Sequence, residues 1–150
     1  MPSSSPINDP YNLERFLRAQ APDYDRVLSE LRAGRKGSHW MWYIFPQLEG
    51  LGRSSMSQRY SIKSAAEAVA YLNHPILGPR LRECVTAVNS AMGHSAHEIF
   101  GTPDDLKLHS SVTLFAHVSE DAVFKELLQK YFDGQPDDKT LQILRTAEPS

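Results

Sequence analysis

Residues 34–53 read Gly-Arg-Lys-Gly-Ser-His-Trp-Met-Trp-Tyr-Ile-Phe-Pro-Gln-Leu-Glu-Gly-Leu-Gly-Arg, and the conformation of the aromatic block at 40–45 decides the fold class. Its aromatic and β-branched content suits a strand. No second strand offers itself as a partner elsewhere, and a lone strand is not stable. Ser38 can cap a helix and Pro46 can end one, so 39–45 is predicted as a short buried helix. The chain is then all-α: a compact single domain of about seven short helices in orthogonal packing.

The flanking sequence agrees. Leu13, Phe16 and Leu17 have helical spacing and stop near Ala21-Pro22, where a second helix starts that carries Tyr24, Val27, Leu28 and Leu31 and ends at Gly34. Ser64…Glu67 and Ser95…Glu98 read as capping boxes. Gly78-Pro79 is expected to start the helix of Leu81, Val85 and Val88, with Gly93 as its stop. Thr102, with Pro103 and two acids behind it, is expected to cap a helix running to about His117. Ser119 is expected to cap the next, and Pro136-Asp137-Asp138 to open a last one through Leu144. Residues 1–10 are read as a flexible lead-in, 11–145 as the helical domain and 146–150 as a flexible tail.

With 150 residues, 41% hydrophobic and 23% charged, the chain has ordinary globular composition. The single cysteine, Cys84, excludes an internal disulfide and suits a reducing cytosol. The N-terminus lacks a signal-peptide pattern and no apolar run approaches bilayer length, so a cytoplasmic location with no membrane partner is expected. Between Arg35 and Lys63 five bases face one acid, +4 on a chain of net charge −2. A local positive segment on an acidic protein favours a confined anionic partner and disfavours nucleic acid.

Several blocks together resemble a known family: Asn12–Phe16, Gly34–Trp42, Phe45-Pro46-Gln47, Gly50-Leu51-Gly52, Asp104–Leu108 and Ser110–Phe115. They look like the hallmarks of an uncharacterised, largely bacterial domain-of-unknown-function family whose members are often mislabelled calpastatin. The resemblance covers about residues 11–145; positions 37 and 109 carry no weight in it. It implies a single all-α domain and supplies no activity, cofactor or substrate. The calpastatin label has no support in these residues, because calpain-inhibiting repeats are extended, disordered segments.

The residues themselves suggest a site. Arg35, Lys36 and Ser38 in a glycine-flanked turn between two helices can converge on an anion. His39, read as lying in the first helical turn, is the candidate general acid or base. Trp42 offers a flat wall and Gln47 a donor–acceptor pair. Lys107, Ser110 and Ser111 share one face of their helix, with Asp104 within reach of Lys107. Lys107 and Ser111 are expected to complete the pocket beside residues 35–47. His109, Thr113 and His117 share a face expected to be solvated, and no metal site is expected, since His94 and His97 straddle a helix start. The reading is a cytosolic helical protein that binds a small anionic, nucleotide-like molecule. The competing one is a protein-interaction module with a tryptophan-rich surface. Cofactor, reaction and oligomeric state are not legible.

Overall fold

The computed structural model describes residues 9–147, so residues 1–8 of the lead-in and 148–150 of the tail lie outside the described residues. Ten helices are present among them: α1 (Glu14–Gln20), α2 (Tyr24–Arg32), α3 (Met41–Ile44), α4 (Ser55–Arg59), α5 (Ala65–Asn73), α6 (Leu77–Ser90), α7 (Ala96–Phe100), α8 (Asp104–Val118), α9 (Ala122–Phe132) and α10 (Asp138–Ala147). The all-α class is therefore observed, with ten helices in place of about seven. No strand occurs among the described residues; the nearest thing is one parallel bridge between Leu48 and Ile62.

Helix α8 is the hub, packed against α5, α7, α9 and α10, while α6 joins α2, α5 and α9. Its middle, Leu108 and Ser110 to Phe115, is buried on nearly every side, polar residues included, as a helix with neighbours on most sides must be. One core cluster runs from Leu13 to Leu144. Trp40, Phe45 and Phe100 meet in it at ring separations of 6.0–6.4 Å, tilted or edge-on as aromatic quadrupoles prefer.

Some expected boundaries move, each for a local reason. Helix α3 is only four residues long and has no side-chain cap, because Ser38 is engaged elsewhere; His39 therefore lies ahead of the helix rather than in its first turn. Thr102 does not cap α8: its hydroxyl bonds His97 Nδ1 at 3.0 Å and Asp105, and the peptide to Pro103 is cis. Ser119 passes the capping role of α9 to Asp121, whose carboxylate accepts from Val123 N at 3.1 Å and is favoured at the positive helix end. Ser64 caps α5 as expected, but the Glu67 carboxylate turns to Lys63 N and Arg15 instead of closing the box; the Ser95–Glu98 box is complete. Helix α6 starts one residue before Gly78, its first free N–H groups taken by His74 Nδ1. At Gly78 a Cβ would stand 2.0 Å from Leu72 O, so only glycine allows α5 and α6 this close.

Residues 53–61 hold α4 and are tied down at both sides. Glu49 N donates to Ile62 O at 2.7 Å and Ile62 N to Gln47 O at 2.8 Å. Arg15 spends every donor of its guanidinium nearby, on the carbonyls of Tyr11, Asn12, Arg59 and Ser61 and on buried Glu67.

Candidate functional site

Helix α2 ends in a Schellman turn. Gly34, at φ +73°, lets Gly34 N reach Leu31 O and Arg35 N reach Glu30 O, both at 3.0 Å. That turn folds residues 36–40 back over α2, where their donors converge on a carboxylate. Glu30 Oε1 accepts from Gly37 N at 2.7 Å, Ser38 N at 3.1 Å and Trp40 Nε1 at 2.9 Å, and Oε2 accepts from Ser38 Oγ. Partial burial works to raise the Glu30 carboxyl pKa, but the bonds from Ser38 Oγ, Gly37 N and Trp40 Nε1 outweigh it and hold it below the usual carboxylate range. The anion-seeking loop of the sequence is thus filled by the protein's own acid.

Lys36 is turned the other way. Its side chain is 6% exposed, donates to Ser38 O, and lies 4.9 Å from the centre of the Trp40 ring. Its charge is met by Asp104 at 2.9 Å, and the second oxygen of Asp104 faces Lys107 at 3.7 Å. Lys107 in turn stands 5.2 Å from the centre of Trp42. One carboxylate at the start of α8 therefore holds two lysines, each over a tryptophan, and joins the 34–47 segment to α8.

A second link leads to a cavity. Gln47 Nε2 donates to Ser110 Oγ at 2.6 Å, and Ser110 Oγ donates to Lys107 O at 3.1 Å. Beside this chain opens a space of about 530 Å³, within the usual range for small-molecule sites. Gln47, Lys107, Ser110, His109 and Lys139 supply its polar lining together with Asp137 and Asp138; Leu51, Leu106, Pro103 and Pro136 supply its apolar walls. Asp137 is partly committed, its Oδ2 accepting from Thr140 N at 3.0 Å and from Thr140 Oγ1 at 2.6 Å.

The sequence-derived site residues thus separate. Gln47 and Lys107 meet at the cavity, with Ser110 between them. Lys36 and Trp42 stand behind Lys107 in the ion cluster, and the buried Trp42 Nε1 finds no acceptor. Arg35 and His39 are exposed on the loop and Ser38 is bound to Glu30; none of the three lines the cavity. Ser111 is fully buried and its hydroxyl has no partner. Trp40 is also fully buried, so a tryptophan docking face would have to do without it.

Sequence reasoning missed Glu30, His109 and Lys139. Glu30 left one signal, as an acid one turn before the helix end that precedes a donor-rich loop. His109, expected to be solvated, has its ring stacked on Phe132 at 4.1 Å, and Thr113 on the same face is buried. Among the described residues, no three His, Cys, Asp or Glu side chains are grouped to hold a metal ion, and no helix is long and apolar enough to cross a membrane.

Comparison with known proteins follows the geometry. The family model described as "Protein of unknown function (DUF1810)" matches residues 10–144, and the chain belongs to that family. The crystal structure of the conserved hypothetical protein Rv1873 from Mycobacterium tuberculosis is similar to it, with 55% sequence identity, a TM-score of 0.90, and a match covering 91% of this chain and 98% of that one. No curated protein matches. An uncharacterised family was expected from the sequence blocks, and the family that matches is one of unknown function.

Proposed function

We propose that this member of the DUF1810 family binds a small anionic, nucleotide-like molecule in the cavity between the Leu51-Gly52 turn, α8 and the start of α10. Lys107 and Lys139 take the anionic group, Gln47 and Ser110 fix a polar edge, and Leu51, Leu106 and Pro136 cover a flat or aliphatic part. The observation that carries this reading is the Gln47–Ser110 bond of 2.6 Å, which brings the 35–47 segment against α8 at the rim of a space of ligand size. Lys36 and Trp42 serve it indirectly: Asp104, shared with Lys36, sets the position of Lys107 over the Trp42 ring.

The test is a thermal-shift screen with adenosine monophosphate, ribose 5-phosphate and citrate on the wild type, Lys107→Ala and Gln47→Ala. A ligand that raises the wild-type Tm and loses most of that effect in Lys107→Ala supports the reading. Stabilisation that is indifferent to both substitutions, or absent for the whole panel, removes it.

A further inference from the structure

We infer that His109 is the proton-linked ligand group of this cavity, presenting Nδ1 to an anionic oxygen while Nε2 is held by the backbone. The inference rests on the proposed cavity and adds a group that the sequence had assigned to solvent. His109 Nε2 lies 2.7 Å from Gln135 O, and a carbonyl oxygen can only accept, so the proton on that nitrogen is fixed. The ring cannot easily turn away, since it lies parallel to Phe132 with 3° between the planes. Its backbone is pinned as well: Thr113 Oγ1 donates to His109 O at 2.7 Å and accepts from Asp137 N at 2.8 Å. Nδ1 is then the nitrogen left for exchange, on a residue that lines the cavity beside Lys107.

The neutral ring offers a lone pair at Nδ1, and the protonated ring offers an N–H and a charge. An anionic ligand selects the second form, so one proton is taken up from solvent as the ligand binds. The charged groups around the same space are Lys107 from α8, and Asp137, Asp138 and Lys139 from the start of α10; α9 contributes the uncharged Phe132 ring. Two lysines and two carboxylates nearly cancel, which leaves the imidazolium to decide the sign of the site.

Two measurements on the full chain test this. Long-range ring proton–nitrogen correlation at pH 8, with the signal assigned by its loss in His109→Gln, is expected to find the Nε2–H tautomer; an Nδ1–H pattern overturns the inference. Calorimetry with 4-nitrophenyl sulfate, whose charge is constant over the range, is expected to give binding about tenfold tighter at pH 5.5 than at pH 8, the worth of one charge-assisted bond. His109→Gln keeps a donor for Gln135 O but loses the stack on Phe132, so it should fold with a somewhat lower Tm and lose the pH dependence. Wild-type binding that depends on Lys107 yet is flat with pH overturns the role of His109 and leaves the cavity reading standing. Binding that ignores Lys107 overturns both, and no binding of this probe overturns the role of His109, the cavity reading being decided by the thermal-shift panel.

Discussion

Glu30 receives the indole N–H of Trp40 at 2.9 Å with the same oxygen that takes two backbone N–H groups of the following loop. An acid on α2 thus fixes both the loop path and the rotation of the largest core side chain. Glu30→Ala leaves that indole donor inside the core without its acceptor, at a cost of about 3 kcal/mol for a bond to a charged group plus the stranded donor. Urea unfolding at pH 7 checks this; a change within 0.5 kcal/mol, roughly the size of an ordinary surface substitution, would show that the hub is decorative. The pH dependence has a definite sign. A carboxyl pKa lowered in the folded state contributes fully above the unfolded value of about 4.3, and that contribution is lost as pH falls through the folded value. Glu30→Gln should therefore show a shallower loss of stability below pH ~4.3 than the wild type.

The Lys36–Asp104 pair should behave as a unit. Asp104→Asn leaves an ammonium group 6% exposed without its counter-charge, and breaking a buried pair from one side costs about 3 kcal/mol. Lys36→Met removes the charge that needs pairing and should cost less. A double-mutant cycle read by urea unfolding should give a coupling of about 1–3 kcal/mol between the two; additivity would mean that the two side chains do not act together.

Ser111 tests packing against ligand chemistry. Its hydroxyl is fully buried and unpartnered, so Ser111→Ala should be neutral or stabilising by up to about 1 kcal/mol, the cost of an unmet polar group being relieved. A loss of more than 1 kcal/mol in calorimetric unfolding would reveal an acceptor for that hydroxyl.

Gly78→Ala reverses the usual rule. Alanine in a helix interior normally gains about 1 kcal/mol over glycine. Here its Cβ would meet Leu72 O at 2.0 Å, and backbone must shift, so a loss of about 3 kcal/mol is expected from overpacking. An increase in Tm would mean that α5 and α6 do not approach as described.

The helices were legible wherever a local signal sufficed. Ser95 with Glu98, or the spacing of Leu81, Val85 and Val88, involves only neighbours within a turn or two. The site was harder because its decisive interactions cross the chain. A net charge of +4 over 35–63 says nothing of Asp104, which neutralises Lys36 from 68 positions away. The turn carrying Arg35, Lys36 and Ser38 was recognised as anion-seeking, yet whether the anion is a ligand or Glu30 depends on how the Gly34 turn aims the loop. Lys107 with Asp104 was visible as a one-turn pair on a helix. His109 was hidden because its neighbours, Phe132 and Gln135, come from the next helix and the chain just beyond it.

The Leu48–Ile62 rung bears on how a guest would reach the cavity. Residues 49–61 are closed at their base by two backbone bonds of 2.7 and 2.8 Å and anchored to the core by buried Tyr60, so the wall bearing Leu51 and Gly52 is a hoop and not a flap. A hoop cannot swing aside without unfastening its clasp. Arrival and departure are then governed by the width of the mouth and the match of charge, and the rate of exchange should follow diffusion and affinity with no gating step of its own.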